Sequence, residues 1–434
     1  MAETTSGART FLDSLLAGAE AGSDALKTLR ARALERANAL SVPTTRHEEW
    51  RFTDLTPLSR MAFRQATAGA ALDASAIAHW TVPEAATRLV FVDGHFSVAL
   101  SSIVSVDGVR VERLADAFAT GNAVLASHLG QIAGFEHDPF VAANTARLAD
   151  GVLVHATRNA FAAQPIHCLF VSTQADVVQQ ARVLVVAEDG ASVTILEDHV
   201  ATHDGAYCVN AVVEIDVGAN ARVRHVKLQR DGKKAFHLAT TAARVARDGT
   251  YSNLAVTLGA RLSRNNVHVL QGGTGTHFEL DGLALIDGRQ LADTRTFVDH
   301  AQPHGTSRQL HKCVVGGGAH AVFNGRILVR EDAQKTDSTQ ESRNLLLSEK
   351  AHVDTKPQLE IFADDVKCAH GAAVGQLEAE EVFYLMSRGL SESVSRSLLT
   401  YGFAADIVGR IGIPSIVRQL DAAVVERTGG QEIA

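Results

Sequence analysis

Cysteine is scarce: four in 434 residues. Cys168, Cys208, Cys313 and Cys368 are scattered, with no CxxC and no pair close in sequence. That excludes a disulfide framework and a self-contained four-cysteine site for zinc or an iron–sulfur cluster; in a reducing compartment all four stay thiols. An excess of basic charge is also missing. Lysine plus arginine is 41 against 49 acidic residues, a net charge of −8, which argues against general nucleic-acid or anionic-membrane binding. No apolar run reaches the roughly 20 residues of a membrane-spanning helix. The nearest, Ala117 to Phe135, is interrupted by Asn122, Ser127, His128 and Gln131. The opening Met-Ala-Glu-Thr-Thr has neither a basic nor an apolar region, so no signal peptide is expected and the cytoplasm is the default address.

What is present is an ordinary globular mixture, 46% apolar and 21% charged, in a chain long enough for two or three domains. The first forty residues read as helix: Phe11, Leu12, Leu15 and Leu16, then Leu26, Leu29, Ala33 and Leu40, recur near the 3.6-residue period, with Gly18 and Gly22 dividing them. Pro43 and Pro57 bracket RHEEWRFTDL, Arg46 to Leu55, a structured loop or short helix. Arg88 to Val92 reads as a strand entering the turn Asp93-Gly94, and Val111 to Leu129 as an Ala-rich helical stretch. From Gly151 the pattern changes. Val213, Ile215 and Val217 alternate with Glu214 and Asp216, as a half-buried strand requires, and helical periodicity is absent for over two hundred residues. Turn signals at Gly190, Gly218, Gly249, Gly273 and Gly317 recur irregularly, about 24 to 44 residues apart. A sandwich or closed barrel also yields short strands, but the length of the region, few Asn-Gly hairpin turns and loose repetition favour a parallel β-helix. After Gly375 helix returns: Glu378 to Arg388 is amphipathic and stops at Gly389, Ser391 is an N-cap, and Pro414 restarts the final stretch. The expected fold is mainly β, with a helical and mixed segment 1–150, a β-helix core 151–376 and a helical segment 377–434. The tail Gly429 to Ala434 is expected to fray.

The sharpest chemical feature is ADDVKCAHGAAVGQL, Ala363 to Leu377. On extended backbone Cys368 and His370 point to one face, roughly 6.5–7 Å apart at Cα. Thiolate and imidazole together suit iron, zinc or copper(I), and an imidazole can lower its neighbour's thiol pKa. A buried cysteine beside a hydrogen-bonded histidine is the plain alternative, and two ligands alone do not complete a site. His352 and Asp354 form a second same-face pair, which stacking of coils would bring toward His370. DHAQPHGTSRQLHKC, Asp299 to Cys313, holds three histidines and a cysteine at no zinc spacing and reads equally well as polar turn residues. The glycines Gly272, Gly273 and Gly275 lack the lysine of a P-loop and read as turns. No Ser-His-Asp, HExxH or paired-carboxylate signature stands out. Asp364-Asp365 is turn chemistry.

The run AQKTDSTQESRNLLLSEKAHVDTKPQLEI, Ala333 to Ile361, continues into ADDVKCAHGAAVGQL and FYLMSRGLS, Phe383 to Ser391. With RHEEWRFTDL near the N-terminus, this resembles the SufB/SufD family of the SUF iron–sulfur cluster assembly system, from about residue 40 to 410. SufB-like chains carry a cysteine just after the dipeptide matching Thr339-Gln340 and a glutamate after the matching histidine; here Glu341 and Ser342 follow the dipeptide and Gly371 follows His370. Both differences put the resemblance on the SufD side.

The resemblance implies a right-handed parallel β-helix between helical domains and a scaffold rather than an enzyme. It implies a heterodimer with SufB, completed by the ABC-type ATPase SufC and served indirectly by a sulfur donor; a homodimer is the alternative for the isolated chain. It also implies that His370, with Cys368 beside it as a second ligand or an assisting residue, contributes to a transient iron–sulfur cluster shared with SufB and not held stably by this chain alone. SufC docking falls on the C-terminal helices around Phe383, Tyr384 and Arg388. With no P-loop, no bound nucleotide is expected, and ATP hydrolysis belongs to the partner. Two alternatives compete: a purely structural partner capping SufB, and a stand-alone metal-dependent β-helix enzyme such as a polysaccharide lyase.

Overall fold

The computed structural model describes residues 2–20, 26–69 and 72–427. Gly22 and the tail Gly429 to Ala434 lie outside these residues. Sixteen strands run from Val152–Ala156 to Lys367–Gly375, with no helix between them among the described residues. Successive strands alternate between two ten-stranded sheets, so hydrogen-bonded neighbours lie two strands apart in sequence. In the second sheet Thr250 pairs with His277, His277 with Thr306, Thr306 with Asp337 and Asp337 with Lys367, all parallel. Each step is one coil, 27, 29, 31 and 30 residues long. This is a parallel β-helix of about eight turns.

Strands buried on both faces explain the near-continuous Val/Ile/Leu runs. Interior positions such as Val183, Val185, Ile195, Val213 and Ile215 form one core between the sheets. Outward positions are covered from two sides. On the first sheet, Val178, Cys208, Phe236, Leu238 and Leu262 pack against Phe11, Leu15, Trp50 and Phe140 of the N-terminal segment. On the second, Leu196, Val226, Leu228, Leu254 and Leu283 pack against Ile407, Val408, Ile411, Ile416 and Leu420 of the C-terminal helices.

The flanking elements follow local sequence. Helices Ala2–Leu16 and Lys27–Ala39 are parted at Gly18, whose φ of +71° suits glycine. RHEEWRFTDL forms the helical turn Glu48–Trp50. It is pinned to the first sheet by the Arg264 guanidinium over the Trp50 ring at 3.5 Å and by Thr53 Oγ1 donating to Asp293 at 2.5 Å. Val111 to Leu129 is not one helical stretch: Val109–Arg113 is a strand, and helix begins at Leu114 because Arg113 pairs with Val152 in the sheet. Nor is the N-terminal third separate from the sheets, since Thr87–Val92 adds in parallel to Ile166–Ser172. At the other end, helices Ala379–Ser387, Glu392–Gly409 and Pro414–Arg427 start and stop where the caps indicate, with Ser391 accepting from the Val394 N–H.

Asp299 to Cys313 is a turn only in its middle, around His304 with φ +60°. His300 and His311 lie in strands and are buried in the interior. The His311 ring stacks on Phe323 at 4.2 Å between centroids, in space kept free by Gly282, where a Cβ would sit 2.4 Å from His311 Nδ1. Burial pushes His311 down to about 3, and pushes His300 down to about 4 against the opposing Asp299 carboxylate. Both values lie below the ordinary histidine value near 6.5 of an unfolded chain. The unfolded state therefore binds more protons below that pH, and the stability present above it is lost as pH falls toward the folded values. The urea midpoint is expected to fall from pH 6.5 to 4, with each histidine contributing up to about 1.4 kcal/mol per pH unit. His311→Phe should make the decline shallower; an unchanged slope would contradict this source of acid sensitivity.

Candidate functional site

The two ends of the β-helix differ. At the N-terminal end the sheets finish in short antiparallel strands, Val109–Arg113 and His95–Phe96. At the C-terminal end they finish in His352–Ile361 and Lys367–Gly375, each with a neighbour on one side only. These last strands are exposed or half-buried along their length, whereas earlier strands are mostly buried. Ile361, Phe362 and Val374 are exposed there, Phe362 at 64%. The Lys367 N–H donates back to Thr336, so by alternation the amides of Cys368, His370, Ala372 and Val374 face the free edge.

Strand register positions the Cys368–His370 pair. Ser307, Ser338 and Cys368 stack in one column, and Gln309, Gln340 and His370 in the next. Both columns face the interior. Ser307 Oγ lies 3.0 Å from His300 Nε2 and 2.6 Å from Ser338 Oγ, while Thr296 Oγ1 donates across the interior to Gln309 at 2.7 Å. Cys368 packs on the end of the interior core. Cys368 and His370 thus occupy one face of the last strand, at the mouth of the solenoid. His370 is exposed and Cys368 half-buried.

Toward that mouth the second-sheet side of the interior is lined by Gln309, Ser338, Gln340, Ser342 and Asn344, facing Thr296 of the first sheet, while Val298, Ile327 and Val329 keep part of it apolar. Gln340 is fully buried, and neither its Nε2 nor its Oε1 has a hydrogen-bond partner, although it sits directly behind His370 in register. The interior is narrow here, since a Cβ on Gly325 would meet Gln340 Nε2 at 2.0 Å. A buried amide left unpaired costs about 1–3 kcal/mol, so its placement calls for a reason other than packing. Sequence reading missed these residues because Asp337 to Asn344 contains no apolar side chain and shows no alternation.

Two expectations are revised. The Cys368 thiol is raised, not lowered: burial dominates, the Asp337 carboxylate adds to it, and a hydrogen bond from the Ser338 backbone opposes it. His352 does not join His370. It lies in the first sheet on the outward face, in register with His320, whereas His370 lies in the second sheet facing inward. The helix Ala379–Ser387 differs from a purely internal one. Only Val382 is buried on it, while Phe383 is 71% and Tyr384 57% exposed, with the Arg388 guanidinium over the Tyr384 ring at 5.1 Å.

The β-helix thus has one open end, a thiol–imidazole pair at its mouth and helices on both flanks. Residues 170–403 match the family described as SUF system FeS cluster assembly, SufBD core domain, and residues 12–168 match the SufBD protein N-terminal region. The chain is 39% identical to an iron–sulfur cluster assembly SufBD family protein of Synechocystis, over 92% of this chain and 90% of that one. It is 31% identical to the iron–sulfur cluster assembly protein SufD of Escherichia coli, over 90% of each chain. A protein of the same name in Bacillus subtilis is 30% identical over 66% of each. The chain belongs to the SufBD family of iron–sulfur cluster assembly proteins. No helix among the described residues is long and apolar enough to cross a membrane.

Cys168, Cys208 and Cys313 are buried, with thiols pushed up by burial, that of Cys313 to about 12. Cys368 is therefore the reachable thiol. Iodoacetamide on the native chain should modify Cys368 alone, more slowly than a free thiol at the same pH, and Cys368→Ser should abolish labelling. Equal labelling of that variant would contradict the placement.

Proposed function

We propose that the chain acts as the SufD subunit of a cluster-building complex, pairing through its terminal coil with a SufB-type sister β-helix. The observation that carries this reading is the open mouth, where His370 and Cys368 stand on an edge strand with its alternate amides free. An unpaired, partly apolar edge is a template for strand addition. A sister strand laid there would satisfy those amides and bring ligands of the other chain up to His370. A thiolate and an imidazole are a suitable half-set for iron, and the remaining ligands would come across the interface. The nascent iron–sulfur cluster is the cargo of this junction. Behind it, Gln340 offers an unused donor and acceptor toward whatever His370 holds.

His370 is the principal ligand of this chain in the proposal, and Cys368 assists. The raised thiol fits the assisting role, since a protonated thiol must lose its proton before it ligates. Motion is supplied by an ABC-type ATPase of the SufC kind, docked where Phe383 and Tyr384 project from the helix Ala379–Ser387 with Arg388 beside them. Covering such side chains gains about 1.5–3 kcal/mol each. The chain itself catalyses no step in this account; it holds one side of a junction that the ATPase opens and closes.

His370→Ala should leave the complex with the SufB and SufC homologues intact on size exclusion but abolish cluster formation on anaerobic reconstitution. A fully loaded variant would remove His370 from the ligand set and reduce this chain to a cap. Phe383→Asp combined with Tyr384→Ala should weaken retention of the ATPase at least about tenfold, the worth of about 1.4 kcal/mol, without shifting the melting temperature. Undiminished retention would put the docking site elsewhere.

A further inference from the structure

On the outward face of the first sheet, one column of side chains reads Leu262, Leu291, His320, His352 in successive coils. The leucines lie beneath the N-terminal segment as part of its apolar core. The histidines continue the column past the end of that cover, where His320 is half-buried and His352 exposed. Asp354, two residues beyond His352 on the same face, receives both rings. His320 Nε2 lies 2.8 Å and His352 Nε2 3.2 Å from the same oxygen, Asp354 Oδ2. The two imidazoles are 4.9 Å apart at their centroids. No lysine or arginine pairs with Asp354 among the described residues, in contrast to Asp293 in the neighbouring column, which is neutralised by Arg264.

We propose that His320, His352 and Asp354 form a binding site for a divalent first-row transition-metal ion, separate from the Cys368–His370 mouth. Three features converge on a cation. The ligand atoms all lie within 4.8 Å of one another. An ion bound at about 2.1 Å from each needs them no more than about 4.2 Å apart, so side-chain rotation closes the difference without moving the sheet. In its metal-binding form, two imidazoles and one carboxylate, the set carries one negative charge, which a divalent ion overcompensates and a monovalent ion only cancels. Nitrogen donors in the majority favour zinc, ferrous iron or cobalt over calcium or magnesium, which prefer oxygen. Both histidines stand on hydrogen-bonded strands, so the pair is held by the ladder rather than by a loop. Three protein ligands leave coordination positions open on the exposed side, next to the free edge of the last strand of this sheet.

The site is testable on the full chain without a partner. Cys368→Ser with His370→Ala provides a background in which the mouth does not contribute, and the chelator-stripped protein is titrated with Zn2+ by calorimetry. One site is expected, weakened at least about tenfold by His352→Ala and likewise by Asp354→Asn. His277→Ala, at another exposed histidine–carboxylate pair, should leave it unchanged. Because His352 is exposed, its loss should not unfold the chain, which circular dichroism verifies. Zn2+ affinity equal in the background and in the His352→Ala and Asp354→Asn variants, or a loss produced equally by His277→Ala, would overturn the assignment. Addition of Ca2+ at the same concentration should produce no heat at this site; equal heats would exchange the transition-metal reading for a simple acidic patch.

Discussion

The parallel hydrogen-bond ladder is the constraint on which everything else depends. Each coil is held by the one before it, in steps of about thirty residues, and each presents the same unmet requirement to the next. At the N-terminal end the chain meets that requirement itself with short antiparallel strands. At the other end, strands His352–Ile361 and Lys367–Gly375 leave it unmet. An unpaired edge of this kind invites uncontrolled association unless something specific covers it. The residues with metal-binding chemistry, Cys368 and His370, stand on that edge, so the incompleteness of the fold and the candidate chemistry have one location.

The flanking helices serve this arrangement by what they leave uncovered. Trp50, Phe140 and the N-terminal helices close the outer face of the first sheet up to the column containing Leu262 and Leu291. The C-terminal helices close the outer face of the second sheet through Ile407, Ile411 and Leu420. Neither layer buries the last coil. Within the solenoid, apolar packing is shared with buried polar side chains, from the Glu197, His199, His225 and Lys227 ion pairs to Gln309, Ser338 and Gln340 near the open end. The last coil thus stays accessible, as the proposed junction with a sister β-helix requires.

Much of this was legible in the sequence. Alternation at Val213, Ile215 and Val217 announced the strands, the caps at Gly389 and Ser391 located the C-terminal helices, and the Lys367–Gly371 run carried the family. The coil length was not legible, because glycine does not mark every turn. Asn220, Asp248, His304 and Lys335 take the left-handed conformation instead, with φ between +55° and +62°, so glycine spacing sampled only some of the coils. Facing was the other obstacle. Two-sided burial mixes interior and exterior residues along one strand, which concealed the inward turn of His300 and His311. It also concealed the sheet assignment that separates His352 from His370. The exposure of Phe383 and Tyr384 depends on what packs against their helix, and no periodicity reports that.

Hydrogen–deuterium exchange on the terminal coil, with and without the SufB-type homologue, reads the pairing of the last strand amide by amide. If the last strand is where a sister β-helix adds, the amides of Cys368, His370, Ala372 and Val374 should exchange fast in the chain alone and become protected in the complex. Those of buried strands such as Cys208–Val217 should stay protected in both. Protection that appears elsewhere while these four amides go on exchanging freely would contradict the account.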